Sequence, residues 1–133
     1  MRAWRHVTIL GPMDDVLLVD DNASFRAVAR ALLEQGGFRI VGEAGTIAAA
    51  LRTAAVTLPD VVLLDIGLPD RDGVSACGDL QATVPNAAIV FCSVRGVDQY
   101  EDAVRRSPAV GFLPKSQLSA EALAAVLGHR DRR

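Results

Sequence analysis

An α/β sandwich built on a parallel sheet follows from three features of the 133-residue sequence. Short apolar runs alternate with amphipathic stretches five times over, the order that winds strands and helices into one layered unit. VVLLD at 61–65 is a continuous apolar run up to its last residue, of the kind found in a parallel strand covered on both faces. Glycine and proline punctuate the joints between the stretches. Hydrophobic residues make up 50% of the chain, which supplies a core without disulfide or metal staples. The length fits one domain.

The first strand is Val16 to Asp20, ending on a pair of carboxylates. Asn22 caps the helix that follows, where Phe25, Val28, Ala29, Leu32 and Leu33 recur at helical spacing. Gly36 and Gly37 stop it. Phe38 to Glu43 reads as the second strand, and Ala48 to Val56 as an alanine-rich helix closed by Pro59. Val61 to Asp65 is the third strand, with Gly67, Pro69 and Gly73 marking the loop after it. A helix from about Gly73 to Thr83 ends before Pro85, and Ala87 to Ser93 forms the fourth strand. Val97, Tyr100 and Val104 give a fourth helical stripe that ends before Pro108. Ala109 to Leu113 is a short fifth strand. Ser119 caps a last helix whose inward face is Ala122, Leu123, Val126 and Leu127. Right-handed crossovers leave few ways to wind such a sheet.

Residues 1–13 fall outside the alternation and are expected to form an N-terminal extension before a domain at 14–128 and a tail at 129–133. Three alternatives stay open for the extension: translation starting at Met13, a disordered tail, or an extra edge strand from His6 to Leu10. Lys and Arg total 14 against 16 Asp and Glu, a net charge of -2. That balance argues against nucleic-acid binding through bulk charge, which needs a basic surface. Cys77 and Cys92 show no C-x-x-C pairing, and Cys92 lies in an apolar run where cysteine acts as a small buried hydrophobe. No stretch approaches the roughly 18 apolar residues of a membrane span, and the N-terminus lacks the long apolar region of a signal peptide. A cytoplasmic protein is expected.

In open parallel sheets the functional crevice lies outside the carboxyl ends of the strands. Asp20 and Asp21 finish strand one, Asp65 finishes strand three, Ser93 finishes strand four, and Lys115 lies just past strand five. With strand two at the edge, the other four strands are neighbours and these side chains converge. Taken singly, each has a plain structural account: a strand-end Asp caps a helix, Ser93 caps another, and Lys115 is a solvated charge. Those accounts do not explain all of them falling at the ends of neighbouring strands.

Three carboxylates held close repel one another unless a cation intervenes. Mg2+ suits such a group because it takes oxygen ligands and keeps several waters. Asp21 and Asp65 would ligate directly, Asp20 directly or through water, and the backbone carbonyl of Gly67 would add another oxygen. The set suits phosphoryl transfer, in which positioning and charge stabilisation dominate. Asp65 would be the nucleophile, Lys115 would stabilise the incoming phosphoryl oxygens, and the Ser93 hydroxyl would donate to one of them.

VLLVDDN at 16–22, VVLLDIGLPDRDG at 61–73, IVFCS at 89–93 and GFLPKS at 111–116 resemble, in order and spacing, the receiver domains of bacterial two-component response regulators. The resemblance runs from residue 14 to about 128. It implies a flavodoxin-like (βα)5 doubly wound parallel sheet in strand order 2-1-3-4-5. It implies that Asp65 is the phosphoacceptor, Asp20 and Asp21 the Mg2+-holding pair, Ser93 the switch hydroxyl, Phe112 the switch aromatic and Lys115 the phosphate contact. The implied donor is a sensor histidine kinase or a histidine phosphotransfer protein, or a small acyl phosphate. The implied role is that of a signalling phosphoacceptor and not a turnover enzyme. Three positions depart from the family. Val94 follows Ser93 where a small residue is usual, so its bulk is expected to narrow the path to Asp65. Ser116 follows Lys115 where many members have proline with a cis bond, so a trans bond is expected. Phe112 lacks a tyrosine hydroxyl, so its inward turn would rest on packing.

Phosphorylation would draw Ser93 toward the phosphoryl group and let Phe112 fill the space behind it, a population shift. The surface of the predicted fourth helix, fifth strand and last helix, with Val97, Tyr100, Val104 and the neighbourhood of Gly111, is the expected partner or homodimer face. GFLPKSQLSAEAL looks like receivers that precede helix-turn-helix modules, so a stand-alone receiver and an excised one both remain open. A rival reading is an aspartyl phosphatase, whose D-x-D pattern at the end of strand one is not matched by Asp20-Asp21-Asn22. A pseudo-receiver that serves only as an interaction module is a third. Nucleotide hydrolysis is disfavoured, since no G-x-x-x-x-G-K-[ST] loop occurs.

Overall fold

The strands are β1 (Asp15–Val19), β2 (Arg39–Ala44), β3 (Val61–Leu64), β4 (Ala88–Ser93) and β5 (Gly111–Pro114). They form one parallel sheet in the order β2-β1-β3-β4-β5, as expected. The structure is a computed structural model that describes residues 14–94, 101–102 and 104–131, with side chains as far as 128. The helices are α1 (Ala23–Gln35), α2 (Ile47–Thr57), α3 (Gly73–Thr83) and the C-terminal α4 (Ala120–Asp131), with a 3-10 turn at Lys115–Gln117. The proposed extension at 1–13, and Val97 and Tyr100 of the predicted fourth helix, lie outside the described residues. Glu101, Asp102, Val104 and Arg105 are helical.

Side chains alternate across a strand, and here the two sets enter two cores. Leu17, Val19, Val62, Leu64, Ile89 and Phe91 face α2 and α3, where Ile47, Ala50, Ala54, Ala76, Cys77 and Leu80 meet them. Val16, Leu18, Val61, Leu63, Val90 and Cys92 face α1 and α4, meeting Ala29, Leu33, Leu123 and Leu127. The central strands are therefore apolar on both sides because both sides are covered. Full burial of each Leu or Val contributes about 1.5–3 kcal/mol.

Side-chain caps fix where α1, α2, α3 and α4 begin. Asn22 accepts from the Phe25 N–H at 3.0 Å, Thr46 from Ala49 at 3.1 Å, Asp72 from Ser75 at 3.2 Å and Ser119 from Ala122 at 3.0 Å. Each such cap is worth about 1 kcal/mol. At the end of α1, Gly37 takes a φ of +100° that a side chain would resist. The end of α2 is tighter, because Leu58 itself sits at φ +49° before Pro59.

Two expectations need correction. In α1 the buried residues are Ala29 and Leu33, with Phe25 packed beside them, while Val28 is 55% and Leu32 38% exposed. The inward stripe is thus i, i+4, i+8 from Phe25, and Val28 and Leu32 are turned a further 100° toward solvent. The fifth strand starts later than expected, at Gly111 instead of Ala109, and runs on through Pro114. Val110 donates to the Ile89 carbonyl as the ladder opens, and Pro114, which lacks an N–H, is tolerated because β5 is an edge strand.

Candidate functional site

The carboxyl ends of β1 and β3 are bonded one residue beyond the strands themselves. Asp20 donates its N–H to the Ala44 carbonyl and Asp65 donates to that of Val19, both at 2.9 Å. The sheet thus fixes both acidic backbones side by side. Asp20, Asp21 and Asp65 each present a carboxylate oxygen within 4.8 Å of the others, with Asp20 and Asp65 buried and Asp21 exposed. Asp20 Oδ1 accepts from the Asn22 N–H at 2.9 Å. Its other oxygen, Oδ2, is buried and accepts no well-angled hydrogen bond, but the Lys115 ammonium stands 2.6 Å away. Distance and charge, more than bond angle, define that contact as an ion pair.

Lys115 follows β5 directly and opens the 3-10 turn. Its Nζ is 3.8 Å from Asp65 Oδ2 and 4.3 Å from the centroid of the Phe25 ring. Ser93 is buried as the last residue of β4, in register with Pro114, the residue before Lys115. Phe112, in register with Phe91, is half-buried against the first core. The Asp65 side chain keeps 10% of its surface open. Val94 is 80% exposed; an isopropyl group so largely in solvent covers little, which weighs against the narrowing expected of it. Among the described residues no peptide bond is cis.

Burial raises the Asp65 carboxyl above the ordinary carboxylate range. The Gly67 N–H, donating to Oδ1 at 3.2 Å, opposes this, as does Lys115, while Asp20 and Asp21 reinforce it. Burial also pushes the Cys77 thiol up to about 11 and Cys92 to about 12, so both are protonated, unreactive packing groups at neutral pH.

The arrangement offers oxygen donors only, includes one buried carboxylate oxygen without a hydrogen bond, and carries excess negative charge. That is the donor chemistry of a hard divalent cation. The three aspartates could hold it, with Lys115 available to a further anion.

Three residues around the site were not anticipated. Arg26 donates to the Asp20 backbone carbonyl and, through Nε, to Glu43 Oε1 at 2.9 Å, while Arg30 holds the other Glu43 oxygen at 2.9 Å. Burial alone would raise the Glu43 carboxyl, but these two guanidinium bonds outweigh it and hold it below the usual range. Asp70, in the loop after β3, accepts from the N–H groups of Ile47 at 3.0 Å and Ala48 at 3.1 Å, which ties that loop to the start of α2. The Phe25 ring beneath Lys115 is the third. Only the cap spacing Asn22-x-x-Phe25 hinted at any of them.

A family model described as the response regulator receiver domain matches residues 16–127. The chain is 33% identical over 100 residues to the chemotaxis protein CheY of Thermotoga maritima, covering 75% of this chain and 83% of that protein. It is 34% identical over 113 residues to a Pseudomonas aeruginosa protein named as a transcriptional regulator. That match covers 85% of this chain but 55% of the relative, so the chain spans about half the length of that protein. Among solved structures, the signal receiver domain of a NarL response regulator from Mycobacterium tuberculosis superposes with a TM-score of 0.77 at 30% identity, covering 92% of this chain and all of the other.

Proposed function

The chain belongs to the response regulator receiver domain family, and from that membership we propose that Asp65 is its phosphoacceptor. The observation that carries this is the meeting of Asp20, Asp21 and Asp65 within 4.8 Å beside the Lys115 ammonium. An Asp65 carboxylate oxygen forms the O–P bond as the N–P bond of a phosphohistidine breaks. The electron pair stays on the imidazole nitrogen, which takes up a proton. Asp20, Asp21, Asp65 and the Gly67 carbonyl would hold Mg2+, which would supply charge neutralisation. Lys115 takes the excess charge on the phosphoryl oxygens, and Ser93 donates its hydroxyl to one of them.

The donor is a sensor histidine kinase or a histidine phosphotransfer protein, and residues 14–128 form the receiver unit that meets it. The protein acts in the cytoplasm as a signalling phosphoacceptor, not as a turnover enzyme, and this unit binds neither nucleic acid nor membrane. No helix among the described residues is long and apolar enough to cross a membrane. Ser93 and Phe112 form the switch. A depression of about 450 Å³ bounded by Glu101, Val104, Arg105, Phe112, Pro114 and Gln117 supports an output or homodimer face there, since Phe112 belongs to both.

Incubation with acetyl phosphate and Mg2+, followed by intact mass, tests the proposal. A phosphoryl-sized gain that requires Mg2+ and is lost in Asp65→Asn is expected. Absence of any gain from acetyl phosphate or a phosphohistidine donor would overturn it.

A further inference from the structure

Lys115 ends in a flexible stem, and three groups hold its ammonium: Asp20 Oδ2 at 2.6 Å, Asp65 Oδ2 at 3.8 Å and the Phe25 ring at 4.3 Å. Both carboxylates belong to the acidic cluster, so each has other claims on it. Asp20 is a candidate cation ligand and Asp65 is the proposed nucleophile. The ring is the one member of the three with no such second task. A cation above an aromatic face is attracted by the ring quadrupole, and more so where water is scarce. The Lys115 side chain is only 14% exposed.

The ring is also well anchored. Asn22 accepts from the Phe25 N–H at 3.0 Å, so the cap that starts α1 immediately after the acidic pair also sets the Phe25 backbone. The side chain packs against the second core, which keeps its face from turning. A leucine there would fill similar space without attracting a cation.

We propose that Phe25 is a positioning residue for Lys115, its ring face holding the ammonium beside Asp65 independently of Asp20. This rests on Lys115 being the group that meets the phosphoryl oxygens. Without the ring, the ammonium retains its carboxylate partners in the resting protein but loses its one fixed support when they are engaged elsewhere.

Phe25→Leu and Phe25→Tyr test the idea, the first removing the quadrupole and the second keeping it. In 1H–13C spectra of the resting protein, the Lys115 ε-methylene is expected upfield in wild type and Phe25→Tyr, and at its ordinary position in Phe25→Leu. With acetyl phosphate at saturating Mg2+, Phe25→Leu should be phosphorylated about fivefold more slowly. Its half-saturating Mg2+ should stay within about twofold of wild type, since Lys115 keeps its Asp20 contact in the resting variant. In a Lys115→Met background, Phe25→Leu should bring no further slowing, because the partner it supports is gone. An unshifted Lys115 in wild type, a Phe25→Leu rate equal to wild type, or an equal slowing in the Lys115→Met background would each overturn the proposal. A wild-type protein that takes no phosphoryl group overturns the Asp65 assignment instead, and the methylene shift still decides the contact.

Discussion

Lys115 pairs more closely with Asp20 than with Asp65: its Nζ is 2.6 Å from Asp20 Oδ2 and 3.8 Å from Asp65 Oδ2. The lysine thus neutralises the carboxylate that a divalent cation would also claim, and the two positive charges compete. Lys115→Met should tighten Mg2+ about tenfold by calorimetry while slowing phosphorylation of Asp65 about 100-fold, the usual cost of removing one charge-stabilising group. Unchanged Mg2+ affinity would show that the lysine does not oppose the metal.

Burial raises the Asp65 carboxyl, so the unfolded chain ionises it at lower pH than the folded protein does. The stability linked to this group is full below the unfolded value of about 3.9 and is lost as pH rises through the raised folded value. In metal-free buffer, Asp65→Asn should therefore melt about 3 °C higher than wild type at pH 7, with the gap closing near pH 3. A variant that melts lower at pH 7 would contradict this account.

Asp70 has the opposite sign. The Ile47 and Ala48 N–H groups hold its carboxyl below the usual range. Its contribution is present above the unfolded carboxylate value and disappears as pH falls through the depressed folded one. Asp70→Asn should lower the melting temperature at pH 7, and the two melting curves should converge in acid. Amide exchange at Ile47 and Ala48 should quicken in the variant; protected amides there would rule out the tie.

Gly73 and Gly78 lie in the same helix and should respond in opposite directions to alanine. A Cβ on Gly73 would sit 2.7 Å from Ile66 Cα and 3.0 Å from its carbonyl oxygen, backbone atoms that cannot step aside cheaply. Gly73→Ala should cost about 2 kcal/mol in urea unfolding and slow phosphorylation, since Ile66 adjoins Asp65. Gly78 faces open space, and Gly78→Ala should add about 0.5–1 kcal/mol through helix propensity. Equal effects at the two sites would refute the contact.

What the sequence made legible was whatever a local pattern carries. The bounds of α3, from Gly73 to Thr83, matched the structure, because Gly73 and Pro85 mark its ends chemically. The strand-end positions of Asp20, Asp65, Ser93 and Lys115 followed from the alternation and a rule about parallel sheets. Val28 and Leu32 were harder, since apolar spacing shows that a stripe exists but not which edge of it meets the sheet. The partners of Arg26, Asp70 and Phe25 were not legible at all. Arg26 meets Glu43, Asp70 meets Ile47, and Phe25 meets Lys115 only once separate elements have docked. No periodicity within either segment encodes such meetings.

β1 lies between β2 and β3, whereas β5 is an outer strand, and Lys115 follows it. The two buried carboxylates therefore stand at the ends of inner strands, while the lysine that offsets them reaches the pocket from the sheet's edge. The charge balance of the pocket thus hangs on the seating of that outer strand, so whatever loosens β5 from β4 also leaves Asp20 and Asp65 without their ammonium.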